Sequence, residues 1–179
     1  KVYDEYVKEQ NKIWKIDNPM EISPSIPEME VSESWIKLLA KQMDVAVITI
    51  GRNSGEGSDL SEKAFGLIPE EAKLIENVSR EFHAMKKKVI IVMNISNVME
   101  VASWRNYADA ILLAWQGGQE GGNSITDILC GAVNPSGKLT ASFPMTYRDV
   151  PSYNNFPGTP KDASNPVSYT HLTLPTNRE

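Results

Sequence analysis

The chain has 179 residues, 41% of them hydrophobic and 23% charged, with a net charge of −5; this is enough for one domain's core and the wrong sign for a surface that neutralises nucleic-acid phosphates. One cysteine, Cys130, and two histidines, His83 and His171, exclude an intrachain disulfide and a Cys-built zinc site and make a His-built metal site a poor fit. No apolar run approaches the ~20 residues of a membrane helix, the lack of disulfides leans towards a cytoplasmic compartment, and a start at Lys1 without a methionine suggests a piece of something longer.

Residues 1–31 are polar and irregular and contain "NPMEISPSIPEMEV", which reads as an extended connection over a surface. Ser32 can cap a short helix in which Trp35, Ile36, Leu39 and Met43 fall at helical spacing. The run "VAVITI", residues 45–50, is apolar on both faces, as in a strand covered on both sides. After the loop that follows, Pro69 suits a first helical position and Glu70 and Glu71 load the first turn. Leu74, Ile75, Val78, Phe82 and Met85 then share one helical face, and Lys86, Lys87 and Lys88 sit where that helix should end, offsetting its dipole. A strand at 89–94, a short helix around 98–104 and a strand at 108–115 come next. The turn "QGGQEGGN" opens a helix carrying Ile125, Ile128 and Leu129, with Gly131 as its stop. In "GKLTASFP", Leu139, Ala141 and Phe143 alternate as in a strand that Pro144 ends. Residues 168–179 have no apolar period, look like a translated linker and are left out of the fold. Strands alternating with helices predict an α/β domain, a mostly parallel sheet flanked by helices, spanning 32–167 and short of the five or six strands usual in doubly wound sheets.

Ligands of open α/β sheets bind beyond the carboxyl ends of the strands, and two glycine-rich loops, 51–59 and 116–123, fall at such ends. A phosphate cradle is the weakest reading: neither loop matches a nucleotide motif, and each carries a carboxylate, Glu56 or Glu120, that would repel a pyrophosphate. A structural reading suits 116–123, where Gln119 and Glu120 can satisfy backbone groups at the start of the next helix. The stretch "IGRNSGEGSDL" is different. Glu56 stands between Gly55 and Gly57, and solubility alone does not require flanking glycines. A mobile loop could swing an acid over a substrate, but glycoside cleavage with retention needs a second carboxylate ~5 Å away. No residue of this chain fits that part, since Asp59 is too close in sequence to Glu56.

The stretches "DVAVITIGRNSGEGSD", "VIIVMNISNVMEVASWRNYADAILLAWQGGQEGGNSITDILCGAVNPSGKLTASFP" and "VPSYNNFPG" resemble glycoside hydrolase family 3, the β-glucosidase type, from about Val2 to Val167. The resemblance implies a TIM-like barrel that carries an aspartate nucleophile, followed by a six-stranded α/β sandwich. This chain resembles the sandwich without the barrel or the opening strand, and the foreign-looking tail begins at about Ser168. The resemblance makes Glu56, within Ser54–Gly55–Glu56–Gly57, the acid/base that reaches a neighbouring barrel. Leu60 stands where the family commonly has arginine, which puts the local loop geometry in question. An S-G-E-G loop points to β-glucosidases and β-xylosidases rather than to enzymes acting on N-acetylglucosamine.

Arg52 and Ser54, on the same loop, are the candidate substrate-binding residues; Arg52 either lines the cleft or pairs with Asp59. Trp104 is expected in the core, whereas Trp115 is divided between core and sugar stacking. His83 is expected to be solvated, Cys130 small and buried, and Glu100 a helix or interface carboxylate. The expectation is an acid/base-bearing domain of a retaining exo-β-glucosidase, with a β-glucoside or oligosaccharide substrate and the parent chain's barrel as partner. No metal, cofactor, nucleic acid or membrane is implied, and a homo-oligomer is left open. The alternatives are a β-xylosidase and a non-catalytic sugar-binding or interaction module, with a nucleotide-binding α/β domain third.

Overall fold

The computed structural model describes residues 2–13, 28–52, 61–151 and 153. Their elements run α1 (Val2–Ile13), α2 (Glu33–Gln42), β1 (Val45–Gly51), α3 (Glu62–Phe65), α4 (Pro69–Ala84), β2 (Lys88–Asn94), a 3-10 turn (Arg105–Tyr107), β3 (Ala110–Leu113), α5 (Gly121–Leu129) and a second 3-10 turn (Tyr147–Asp149). The expected α/β class is present as a three-stranded parallel sheet in the order β1-β2-β3. Val45 pairs with Lys88 through to Gly51 with Asn94, and Ile90 with Ala110 through to Met93 with Leu113. β3 is shorter than the predicted 108–115, although Asp109 N–H to Val89 O and Ala114 N–H to Met93 O carry the ladder one bond further at each end.

Register sets the faces. Ala46, Ile48 and Ile50 lie beside Val89, Ile91 and Met93, and these six side chains form the core with Ile75, Val78 and Phe82 of α4 and Ile36 and Ala40 of α2. α4 forms as its sequence suggests: Pro69 opens it, Glu71 accepts a bond from the Ile68 N–H, and of the expected apolar face Ile75, Val78 and Phe82 are buried, Leu74 is half-buried and Met85, already the C-cap, is exposed. Ser32 caps α2 by accepting from Trp35 N–H. The buried residues of α2 are Ile36 and Ala40, while Trp35 and Met43 stay exposed.

Several expectations need correction. β1 is covered on one face only: Val45 and Val47 are 43% and 47% exposed, because α4 lies over the other side of the strand. Residues 2–13 are a helix rather than an irregular connection; Tyr6, Val7 and Gln10 are its half-buried positions, at helical spacing. The helix expected at 98–104 is a turn leading into the first 3-10 turn, held by Glu100, whose carboxylate accepts from the Ser103 N–H and hydroxyl. Trp104 is in the core, as expected, with its indole N–H on Glu100 O. "GKLTASFP" does not join the ladder. An open, largely apolar cavity of about 620 Å³, lined by Met93, Ile111, Leu113, Leu139 and Phe143 among others, accompanies that segment, and Leu139 is 70% exposed. Alternation specifies which side chains share a face but supplies no backbone partner.

The lysine cluster works differently from the dipole reading. Lys86 and Lys87 close α4 by donating their backbone N–H groups to His83 O and Phe82 O, with Lys86 left-handed at φ 59, the paired-bond helix stop that glycine usually fills. The Lys87 ammonium instead caps α2, on Ala40 O (2.9 Å) and Met43 O (2.6 Å). Lys88 opens β2 and pairs with Asp109. Gly131, at φ +75, closes α5 as expected by the same pair of bonds, Gly131 N–H to Ile128 O and Ala132 N–H to Asp127 O. Cys130 is exposed at that cap rather than buried.

Candidate functional site

The carboxyl edge of the sheet brings together Arg52 after β1, Asn94 at the end of β2 and Trp115 after β3. Ser54 and Glu56 lie outside the described residues, between Arg52 and Ser61. Both flanks of that segment are defined. On the entry side the Arg52 N–H bonds Asn94 O at 3.1 Å, carrying the β1–β2 ladder past Gly51. On the return side Ser61 caps α3, and buried Phe65 sits edge-on to Tyr147 with ring centroids 5.6 Å apart.

Arg52 is forked on Glu71. One Nη donates to each carboxylate oxygen, both at 2.5 Å, and the side chains are 24% and 9% exposed. The same two nitrogens reach Gly51 O at 2.8 Å and Gly66 O at 3.4 Å. Asp59, the partner weighed from sequence, lies outside the described residues. The sequence signals only the first-turn dipole role of Glu71; its second role follows from its burial behind Pro69 at the helix start, within reach of the strand end. Glu28 completes the cluster. Burial, then the negative charge of Glu71, push its carboxyl above the ordinary value, while the Met29 N–H and the Arg52 charge pull the other way. Glu28 is thus near enough to feel both charges, and its carboxyl holds its proton more tightly than an ordinary one.

The second glycine loop is built for close approach. A Cβ on Gly117 would stand 2.9 Å from the Gly121 Cα, which only glycine avoids. Glu120 is the N-cap of α5, but its carboxylate takes the Asn123 side-chain amide rather than a backbone N–H. Trp115 turns β3 into this loop at φ 51, a conformation rare for a bulky side chain. It is half-buried against the core, its ring 6.2 Å from that of Phe143, which is packing rather than an open stacking face.

The amino edge of the sheet carries a separate hub. The Asp109 carboxylate accepts from Lys88 Nζ at 2.6 Å, Val89 N–H at 2.9 Å and lies 2.9 Å from His83 Nε2. These contacts, Lys88 first, hold its carboxyl well below the ordinary carboxylate range. His83, expected to be simply solvated, is exposed but tied to this hub. Among the described residues no three His, Cys, Asp or Glu side chains cluster as metal ligands, and no helix is long and apolar enough to cross a membrane.

Residues 10–172 match the glycosyl hydrolase family 3 C-terminal domain, a span wider at both ends than the expected 32–167. Among solved structures, β-glucosidase 3B from Thermotoga neapolitana, in complex with glucose, is 47% identical with a TM-score of 0.81, over 92% of this chain and 23% of that one. A periplasmic β-glucosidase of Salmonella typhimurium is 31% identical over 86% of this chain and 20% of its own length. An exo-α-(1→6)-L-arabinopyranosidase of Bifidobacterium breve is also 31% identical, over 78% of this chain and 18% of its own length. The chain therefore spans about a fifth of the length of the curated relatives it matches. With the match running through sheet, helices and both glycine loops, the chain belongs to the glycosyl hydrolase family 3 C-terminal domain family.

Proposed function

We propose that this domain supplies the general acid/base, Glu56, of a retaining exo-β-glucosidase whose nucleophilic aspartate is carried by a TIM-like barrel domain of the parent chain. The observation that carries the reading is the position of Ser54–Gly57 in a family 3 domain: it begins two residues after Arg52, which ends the β1 ladder at the carboxyl edge of the parallel sheet. That edge is where α/β folds engage ligands. A carboxyl flanked by two glycines can approach a sugar held by another domain. Ser54 is the candidate sugar contact beside it.

The chemistry divides between the two domains. The Glu56 carboxyl gives its proton to the glycosidic oxygen as the C1–O bond breaks and the barrel's carboxylate bonds C1, and the aglycone leaves as an alcohol. Glu56, now a carboxylate, takes a proton from water as the water oxygen bonds C1 and displaces the nucleophile. Glucose is released with retained configuration and Glu56 is protonated again. The two carboxylates must stand ~5 Å apart for this route. No cofactor takes part.

In the parent enzyme, Glu56→Ala is expected to lower kcat/KM on an alkyl β-glucoside by about 10²–10⁴-fold. The chain by itself should not turn over an aryl β-glucoside. Turnover by the chain alone that Glu56→Ala abolishes would place a nucleophile here and overturn the division of labour. A non-catalytic sugar-binding role would show as weaker binding with turnover intact. The arabinopyranosidase relative makes the glycone a separate question, settled by comparing glucoside, xyloside and arabinopyranoside turnover.

A further inference from the structure

We propose that Arg52 and Glu71 form a positioning clasp that fixes both flanks of the Ser54–Gly57 segment, so that Arg52 acts through the acid rather than on the sugar; this rests on the acid/base reading of Glu56. A guanidinium has five N–H donors, and four bonds of Arg52 are made inside the fold: two to Glu71, one to Gly51 O and one to Gly66 O. An arginine so committed has little left for a sugar hydroxyl.

Those four bonds join three pieces of chain. Gly51 is the end of β1, Gly66 lies between α3 and α4, and Glu71 is in the first turn of α4, where it also accepts from Ile68 N–H at 3.0 Å. The point where the chain leaves the sheet and the point where it returns to the helical layer are therefore held by one fork. Bidentate arginine–carboxylate pairs are strong and fix direction as well as distance. Their geometry matters here because a glycine-flanked acid has many conformations to lose, and closing the segment's ends reduces that number. Glu71 is nearly buried, and burial weakens the screening that makes exposed ion pairs ineffective. Asn94 adds a third anchor through its carbonyl on the Arg52 N–H.

The test uses the parent enzyme with two β-glucosides, one with an alkyl leaving group that needs a proton and one with a 2,4-dinitrophenyl group that leaves without one. Arg52→Ala strands a buried carboxylate and endangers the fold, so the informative variants are Arg52→Lys, which keeps charge but loses the fork, and Glu71→Gln. Both should lower kcat/KM on the alkyl glucoside by about 10–100-fold, the cost of misplacing a catalytic group, with KM for that substrate little changed and kcat/KM on the dinitrophenyl glucoside within about threefold. An equal loss on both substrates, tracking a lower Tm, would make the pair merely structural, and a rise in KM alone would make Arg52 a sugar ligand; either overturns the clasp. Glu56→Ala measured alongside separates the two claims. Unchanged alkyl turnover in that variant overturns the acid assignment and the clasp with it. A large loss there with wild-type Arg52→Lys and Glu71→Gln overturns the clasp alone.

Discussion

The two edges of the sheet are held by similar chemistry for different ends. At the amino edge Asp109 gathers Lys88, the Val89 N–H and His83, tying the starts of β2 and β3 to the end of α4, while the neighbouring Lys87 caps α2. Each partner there is a terminus of a regular element, and the contacts shorten and close the fold. At the carboxyl edge Arg52 and Glu71 tie down the ends of a segment rather than the elements themselves, Trp115 sits left-handed, and Gly117 leaves no room for a Cβ. Constraint at one edge maintains the scaffold; at the other it fixes the points, Arg52 and Ser61, between which the segment 53–60 runs. Chemistry on α/β sheets belongs at the second edge.

The largest stability effect should come from neither edge but from the centre that joins them. Ile91 is fully buried between Ile48 and Ile111 in register, so Ile91→Ala should cost about 2–5 kcal/mol in urea denaturation of the chain. A loss near zero would mean the sheet is not the common core of the two edges. Gly117→Ala comes next: the 2.9 Å approach to Gly121 forces a backbone shift worth about 1–3 kcal/mol, and in the parent enzyme it should disturb activity as well, which no change at the amino edge should do.

The Asp109 hub should show itself through acid. Its folded carboxyl lies below the ordinary 3.8, so the unfolded chain binds the proton more readily. The hub's stabilisation is therefore complete above the ordinary value and is lost as pH falls through the folded one. Between about pH 5 and pH 2 the urea midpoint of the native chain should fall more steeply than that of Asp109→Asn, because the variant has no such group to protonate. Parallel curves would remove Asp109 from the acid response. The smallest effect has the opposite sign. Lys86 occupies a left-handed stop at φ 59, and Lys86→Gly should stabilise by less than about 1 kcal/mol, since relief of the left-handed strain is partly offset by a more flexible unfolded chain.

Local periodicity made much of this fold legible. The caps at Ser32 and Gly131, Pro69 at the start of α4, and most of the apolar face of α4 follow from signals within one element. What escaped was set by partners distant in sequence. Lys87 looks like a charge for its own helix and serves another 46 residues earlier, and Arg52 had Asp59 nearby as a charge of the right sign while its observed partner is 19 residues away. Leu139, Ala141 and Phe143 alternate as strand residues, yet alternation could not show that β3 offers them no ladder. The helix at 2–13 had half-buried Tyr6, Val7 and Gln10 at helical spacing, masked by the polar residues around them. For the candidate site, the motif that matters was visible as glycines around Glu56, and its clasp was not, because an ion pair across a loop leaves no periodic trace.

In the proposed division of labour Glu56 lends a proton to chemistry begun by another domain. Azide tests it most directly, since azide can attack a glucosyl–enzyme without a general base. In the Glu56→Ala parent enzyme supplied with 2,4-dinitrophenyl β-glucoside, added azide is expected to restore turnover and to yield β-glucosyl azide as the product. Slow turnover that azide leaves unchanged, with glucose as the sole product, would contradict it.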